Sequence, residues 1–350
     1  MDLSYSDDQQ QLRENLSSFF SKESTPERVR AAEPSGFDVE LWDKITAMGL
    51  PAMAVPEDLG GGGASALDLV LTAEEFGKRI PPVPLIEGVA ATNLLGRLCA
   101  TASSEVAAQL LADAVAGDAL VSLALNPLVA GVARLVPAGA VADAVLALDG
   151  GDVVAFRSSE VSPRSPLPVP SNLGTAPLAD RGAGVDDKVV LASGPEAVAA
   201  YARARQEWQL LMAGALVGLA QTSLEMGADY AQQRHAFGVL IAWFQTVQHR
   251  LADGITTLEG ARLLTYEAAW AADEGLANTA VLASMAFLFS SEMAFRVAAD
   301  SLHLHGGYGY TLEYDIQMYF RRAKAWPLAY GDPKDGYGSL AAQLFEHEER

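Results

Sequence analysis

Two short motifs in the last third of the sequence combine residue types that bind anions and polar ligands. The first reads RHAFGVLIAWFQ, from Arg234 to Gln245, and the second reads HLHGG, from His303 to Gly307. A guanidinium can hold a phosphate or a carboxylate through charge-assisted hydrogen bonds, and an amide can bond a polar group. Paired glycines remove side chains, so a flat or anionic ligand can approach the backbone.

Each motif also has a purely structural interpretation. Arg234 and Gln245 can be solvated surface side chains, and Gly238 permits a turn or the end of a helix. The Gly306-Gly307 pair can form a tight turn between two helices. It is not a Rossmann fingerprint, because it follows a predicted helix and not a strand. Neither motif decides between these interpretations by itself.

The composition narrows the classes of protein. The net charge of −20 argues against nucleic-acid binding, which requires a basic surface. Cys99 is the only cysteine, so no intramolecular disulfide and no thiolate metal cluster can form. The sequence MDLSYSDDQQ lacks the basic start and apolar run of a signal peptide, and the apolar stretches are interrupted by polar residues, Gly or Pro. We therefore expect a cytoplasmic protein without a metal site or a membrane span.

The chain divides into three blocks that must position the two motifs. Residues 1–117 predict helices, with Ser6 capping the first and Gly117 ending the last. Residues 118–196 predict short strands in DALVSLAL, AVADAVLAL and DVVAFRS, while the four prolines of SPRSPLPVPSNLG favour an irregular segment. Residues 197–350 predict three long apolar helices. This order predicts an α+β fold in which a helical domain, a small β-domain and a helical bundle follow one another.

The two motifs, in this order within the helical third block, resemble the acyl-CoA dehydrogenase family. The segment PEDLGGGGASALDLVLTAEEFGK also resembles the N-terminal domain of that family. The family consists of FAD-dependent enzymes that form a 2,3-double bond in acyl-CoA thioesters. The resemblance covers nearly the whole chain. It implies an N-terminal helical domain, a middle β-domain that is reduced here, and a C-terminal four-helix bundle.

The resemblance implies a FAD site that is shared between two subunits. In the family, the Arg of an Arg-x-x-Phe-Gly segment contacts the pyrophosphate of the neighbour's FAD, and a Gln after Phe contacts its nucleotide part. These roles fall on Arg234 and Gln245, and the same segment contains Phe237 and Gly238.

A second segment of the family, Gln-x-x-Gly-Gly, also touches the neighbour's flavin nucleotide. It corresponds here to His303, Leu304, His305, Gly306 and Gly307. His303 replaces the Gln, and a neutral imidazole can still donate or accept one hydrogen bond.

The catalytic base of the family has no counterpart at its usual positions. In most members a Glu follows a Tyr near the end of the chain, whereas here Tyr330 is followed by Gly331. Some relatives keep the base on the first long helix of the bundle, where this chain has Trp208. Asp332 and Glu207 are the adjacent carboxylates and the weak candidates for a displaced base. Their positions point in other directions, and we expect both to be solvated surface side chains.

The segments that hold the flavin ring in the family are also missing. Its Thr-Glu-Pro and Trp-Ser/Thr segments have no counterpart, and VSLALNPLVAGVARL stands where the first would be. Phe156 is the only aromatic residue of the middle block. The family's Thr-x-Gln after the base is replaced by Pro333-Lys334-Asp335.

The asymmetry between the two sides of the flavin site predicts a subunit of a heteromeric enzyme. The chain resembles the short subunits of the actinobacterial α2β2 acyl-CoA dehydrogenases that act on CoA thioesters of steroid side chains. A catalytic partner subunit would then supply the ring pocket and the base. Two alternatives remain open: a homomeric dehydrogenase that uses Asp332 or Glu207, and a flavin-free scaffold with the same fold. The acyl group and the electron acceptor cannot be inferred from the sequence.

Overall fold

The structure, a computed structural model, describes residues 4–101, 104–182 and 186–345. A helical block, a block of short strands and a helical bundle follow one another, which confirms the predicted fold class. The helices of the first block are α1 (Asp7–Glu23), α2 (Pro26–Ala31), α3 (Val39–Ala47), α4 (Ala66–Arg79), α5 (Leu85–Thr101) and α6 (Glu105–Ala116).

Local signals explain several ends of these helices. Ser6 and Gln9 form a capping box at the start of α1, in which each side chain bonds the other residue's backbone amide. Gly117 ends α6 with a φ of 81°, a left-handed conformation that favours glycine. The patterns in SDDQQQLRENLSSFFSKE, DVELWDKITAMGL, PEDLGGGGASALDLVLTAEEFGK and EVAAQLLADAVAG predict α1, α3, α4 and α6, but α2 and α5 were not predicted. Most residues of α5 are buried, so its sequence lacks the polar face that reveals an amphipathic helix.

The described residues of the middle block, 118–182 and 186–196, form six strands, three more than predicted. They are β1 (Val121–Leu123), β2 (Val132–Val136), β3 (Ala144–Asp149), β4 (Asp152–Arg157), β5 (Ala179–Gly182) and β6 (Asp187–Ser193). One sheet has the order β1-β3-β4-β6, with β1 and β3 parallel and the other neighbours antiparallel. Strands β2 and β5 form a separate antiparallel pair, whose register is shifted between Ala133 and Val136. This shift breaks the simple alternation by which a strand is predicted.

A buried ion pair holds the small β-block together. Arg181 of β5 is fully buried and pairs with Asp186 at 2.5 Å. Its Nη1 also donates to the carbonyl oxygens of Gly139 at 3.0 Å and Ala142 at 2.7 Å. The guanidinium thus satisfies loop carbonyls that would otherwise be buried without partners.

The last block is the helical bundle. It contains α7 (Pro195–Ala231), the hairpin of β7 (His235–Ala236) and β8 (Val239–Leu240), α8 (Gln245–Asp273), α9 (Thr279–Leu304), α10 (Ile316–Ala325) and α11 (Pro333–Phe345). Helices α7 and α9 are long and apolar enough to cross a membrane by length and composition. However, 72% and 61% of their most apolar windows are buried inside the protein, as in the core helices of a bundle.

Two glycines bring the first block into direct contact with the bundle. A methyl group at Gly77 of α4 would lie 1.9 Å from the carbonyl oxygen of Ala215 on α7. A methyl group at Gly218 of α7 would lie 1.9 Å from the carbonyl oxygen of Glu74. Only glycine allows the two helix backbones to approach this closely at both positions.

Candidate functional site

The first predicted motif forms a protruding hairpin. Strands β7 and β8 pair through His235–Leu240 and Ala236–Val239, and the turn consists of Phe237 and Gly238. Both turn residues have positive φ, 53° and 84°, as in the two-residue turns that fit the twist of a hairpin. Ile241 to Phe244 follow the hairpin and lead into α8, which begins at Gln245.

The hairpin tip and the segment after β8 each carry an aromatic side chain in solvent. Phe237 is 97% exposed and Trp243 is 69% exposed. The ring of Phe237 makes a T-shaped contact with that of Phe244, at a centroid distance of 6.3 Å. Exposed aromatic rings on a protruding hairpin are typical of a surface that binds another protein chain.

Polar residues at the two ends of the hairpin segment are exposed. Arg234 follows α7, and its backbone carbonyl accepts from the amide of Ile241 at 2.9 Å. Its side chain is exposed and forms no hydrogen bond or ion pair within the described part of the chain. Gln245, the first residue of α8, is exposed as well. An unpaired cation and an amide are therefore available to an external ligand.

The second predicted motif packs against the end of α7, just before the hairpin begins. His305 is buried, its ring stacks on Tyr230 at 4.2 Å, and its Nδ1 contacts the carbonyl oxygen of Ser301 at 2.7 Å. Burial lowers the pKa of His305, which favours the neutral imidazole. Tyr230 is near the end of α7, and its carbonyl accepts from the amide of Arg234 at 2.9 Å. The stacked pair thus brings the two motifs together.

The turn after α9 leaves its backbone uncovered. His303 is exposed and Leu304 is half-buried, while Gly306 has a φ of 61°. A methyl group at Gly306 or Gly307 would meet no atom within 4 Å. Packing within this chain therefore does not require glycine at 307. Bare backbone beside an unpaired Arg234 suits an anionic ligand that approaches from outside the chain.

A central cleft of about 460 Å³ lies where the three blocks meet. Beside it, the ring of Trp208 on α7 stacks on that of Tyr330 at 5.9 Å, with only 14° between the ring planes. Gly331 follows with a φ of 138°. Trp208 and Gly331 stand at the two positions where the family places its catalytic base. The structure brings these positions together, but Trp208, Tyr330 and Gly331 provide no carboxylate there.

The carboxyl group that bonds Trp208 was not predicted from the sequence. Glu87 on α5 borders the cleft and accepts a hydrogen bond from Trp208 Nε1 at 3.1 Å. Burial raises the pKa of Glu87. Its one signal in the sequence is a single acid inside the apolar run PPVPLIEGVAATNLL.

The two weak base candidates lie elsewhere. Glu207 is not the solvated side chain that we expected, because it bonds Arg97 at 2.6 Å and Asn93 at 2.7 Å beside a second cavity of about 770 Å³. Asp332 is exposed and accepts from the backbone amide of Lys334 at 2.9 Å, at the start of α11. Neither residue lines the central cleft.

The middle block gives the cleft a mostly apolar wall. Pro127, Val129, Leu135 and Pro137 line it. Asn126 is exposed, but its amide donates to the carbonyl oxygen of Ala329 at 3.2 Å and so links the β-block to the segment after α10. Few side chains of this wall are free to bond the polar edge of a large ring system.

Comparison with known proteins gives consistent matches. Family models for the acyl-CoA dehydrogenase N-terminal and C-terminal domains match residues 6–118 and 198–333. The acyl-CoA dehydrogenase IpdE2 of Mycobacterium tuberculosis is 29% identical over 349 residues, which cover 97% of this chain and 98% of the relative. The acyl-CoA dehydrogenase FadE27 of the same organism is 29% identical and covers 92% and 93% of the two chains.

Solved structures give a similar result. A chain of the ChsE4-ChsE5 complex from Mycobacterium tuberculosis superposes with a TM-score of 0.86 at 26% identity, covering 98% of this chain and 99% of the other. Butyryl-CoA dehydrogenase from Megasphaera elsdenii superposes with a TM-score of 0.84 at 23% identity, covering 98% and 100%. The second likeness concerns the fold alone.

Proposed function

Because the chain belongs to the acyl-CoA dehydrogenase family, whose cofactor is FAD, we propose that it is one subunit of a heteromeric enzyme. The enzyme introduces a 2,3-double bond into an acyl-CoA thioester. This chain contributes the nucleotide side of a FAD site, and a catalytic partner subunit contributes the rest. The observation that carries the proposal is the exposed Arg234, which has no partner among the described residues and is linked through Tyr230 and His305 to the bare turn at Gly306 and Gly307.

The residues of the two motifs are suited to bind the nucleotide part of FAD. Bound FAD supplies the acceptor for the hydride that leaves the β-carbon of the thioester. Arg234 would balance the charge of the pyrophosphate, and Gln245 would bond the nucleotide. The backbone at Gly306 and Gly307 is open to close approach, and the exposed imidazole of His303 lies at the same turn. An acidic chain needs such a local cation to hold an anionic cofactor.

The residues on the side of the flavin ring are poorly suited to bind the ring or to catalyse the reaction. Trp208 and Tyr330 occupy the region of the two family base positions, and neither ring system can remove an α-proton at neutral pH. The apolar wall formed by the middle block offers few partners for a flavin ring. These features support a partner subunit that provides both the ring pocket and the base.

The surface around the hairpin is suited to such a partner. The exposed apolar residues of the hairpin segment and of the turn after α9, which we together call the interface patch, are Phe237, Trp243, Tyr308, Tyr310 and Leu312. Aromatic residues of this kind are enriched in protein interfaces. The likeness to a chain of the ChsE4-ChsE5 complex further supports a heteromer. We extend the proposal to an α2β2 assembly in the cytoplasm that acts on CoA thioesters of steroid side chains and passes electrons to a separate acceptor.

The isolated chain is expected to purify with less than stoichiometric FAD, because the ring-binding segments are absent. Co-expression with an adjacent acyl-CoA dehydrogenase gene should give a yellow complex, which flavin absorbance after copurification would detect. A yellow isolated chain that reduces an electron acceptor with acyl-CoA would instead support the homomeric alternative. A colourless protein even after co-expression would support the flavin-free scaffold.

Removing the charge of either displaced carboxylate should leave turnover of the assembled enzyme within a fewfold of wild type. Asp332→Asn and Glu207→Gln retain size and shape, whereas a true base contributes roughly 10²- to 10⁴-fold. The measurement is flavin bleaching after rapid mixing with acyl-CoA, at equal flavin content. A hundredfold fall for either variant would place the base in this chain and reject the half-site proposal.

A further inference from the structure

The second cavity, of about 770 Å³, lies between the first block and the bundle. Its walls come from the segment before α4, from α4 and α5, from the first half of α7 and from the turn between α8 and α9. Within the described chain, no residue lines both this cavity and the central cleft, and the middle block contributes nothing to it. The second cavity is therefore a separate space. Its volume is within the range of about 300–1,000 Å³ that is usual for small-molecule sites.

Most of the wall of the second cavity is apolar and consists of short side chains. Three helices contribute such residues, among them Gly96, Ala100, Ala199, Ala202 and Ala280. Because short side chains leave the space between the helices unfilled, an apolar body can enter without displacing a large residue. This surface by itself does not select a ligand.

One side of the cavity carries a polar cluster with an excess of positive charge. Glu207 of α7 accepts from Arg97 at 2.6 Å and from Asn93 at 2.7 Å, so each of its carboxylate oxygens has a partner. Arg203 lies one helical turn before Glu207 and lines the same cavity, but it is exposed and forms no ion pair or hydrogen bond among the described residues. Two guanidinium groups and one carboxylate leave this cluster with a net charge of +1.

The other carboxylate of the wall does not balance Arg203. The two oxygens of Asp273 accept from the backbone amides of Ala66 at 2.6 Å and Leu67 at 3.1 Å, at the start of α4. The positive end of this helix therefore compensates the charge of Asp273. Arg203 remains the uncompensated charge in the wall.

Contacts within the chain also leave hydrogen-bonding groups of the cluster unused. Arg97 Nη1 and Asn93 Oδ1 are enclosed, and neither has a partner in residues 4–101, 104–182 and 186–345. Asn93 is only 6% exposed. Enclosed polar atoms without partners are rare in folded proteins. Gln206, which also lines the cavity, is half-buried and bonds no described residue. The spare donors and the net positive charge both favour an anion.

We propose that the second cavity binds a monocarboxylate with a compact apolar body. The carboxylate pairs with Arg203, whose planar guanidinium matches its two oxygens. The amide of Gln206 can donate a further hydrogen bond. The apolar body lies on the short side chains of α5, α7 and α9. The site requires neither Arg234 nor a flavin, so its test is independent of the proposed shared FAD site.

The test compares adamantane-1-carboxylate with adamantane-1-carboxamide, which has nearly the same shape and no charge. Isothermal titration calorimetry measures the binding of each probe, up to millimolar concentration, to the isolated chain and to the copurified complex. We expect the carboxylate to bind the wild type roughly tenfold more tightly, because a charge-assisted hydrogen bond is stronger than a neutral one. The preference should shrink in about 1 M salt, since Arg203 is exposed and its charge is screened.

Arg203→Gln should bind the two probes equally, with the affinity for the carboxamide unchanged. Arg296→Gln is the matched control, because Arg296 on α9 is also exposed and unpaired among the described residues but does not line the cavity. It should behave as wild type. Ala280→Leu places a larger side chain in the cavity and should weaken the binding of both probes.

Equal binding of the two probes by the wild type, no binding of either, or a preference that survives Arg203→Gln would overturn the proposal. Unchanged affinities in Ala280→Leu would overturn it as well, because the probes would then bind elsewhere on the protein.

Discussion

Replacing Arg234 with Ala should weaken FAD retention by the assembled complex by roughly ten- to a hundredfold. A charge-assisted contact with a pyrophosphate contributes on the order of 1.5–3 kcal/mol, and about 1.4 kcal/mol corresponds to tenfold. Arg234 is exposed and has no partner within the described chain, so its removal breaks no internal contact. The measurement is the flavin dissociation constant of the complex, followed by flavin fluorescence during dilution.

Two further variants separate the charge effect from general damage. Arg234→Lys should restore only part of the affinity, because an ammonium group lacks the planar fork of a guanidinium. Arg157→Ala changes an exposed arginine on β4, in another block, and should retain flavin as wild type does. If Arg234→Ala holds FAD as tightly as wild type, Arg234 is a solvated surface residue and the shared nucleotide site is wrong.

Truncating Phe237 should weaken association with the partner subunit by roughly 30- to 1,000-fold. Buried aromatic anchors at the centre of an interface contribute about 2–4 kcal/mol, and Phe237 is the most exposed side chain of the interface patch. Alanine, like phenylalanine, has a β-carbon at the positive φ of 53°. The backbone strain at residue 237 is therefore similar in the wild type and in Phe237→Ala. Sedimentation equilibrium of the mixed subunits measures the change.

The control for this prediction is an exposed apolar residue outside the patch. Leu173→Ala, in the irregular segment between β4 and β5, should leave association unchanged. If Phe237→Ala associates as tightly as wild type, the hairpin is not the partner surface. Equal losses for both variants would indicate a nonspecific effect of lost apolar area.

Local signals in the sequence account for much of the fold. The capping box at Ser6 and the glycine at 117 act within a few residues, so they are readable without knowledge of the tertiary structure. Strands β2, β5 and β6 were missed because a register shift and partial exposure remove the alternating pattern. Pairing between distant segments, and not local preference, forms these strands.

The arrangement of the candidate site was harder to predict than the fold, because it depends on contacts between residues far apart in the sequence. The motifs at Arg234 and Gly306 were predicted from the sequence, but their proximity follows from the stacking of His305 on Tyr230. The pairing of Trp208 with Tyr330 joins positions that are far apart in the chain. Glu87 gave no signal beyond an acid in an apolar run, because its significance comes from the cleft that three blocks form around it.

The contact between α4 and α7 determines how the protein can come apart. At Gly77 and Gly218 the two backbones touch without intervening side chains, so neither helix can slide or tilt without losing contact along the crossing. Local opening of the first block would expose the apolar face of α7 in the bundle. The two blocks should therefore unfold together in one calorimetric transition, and amide hydrogens on both sides of the crossing should exchange with similar protection.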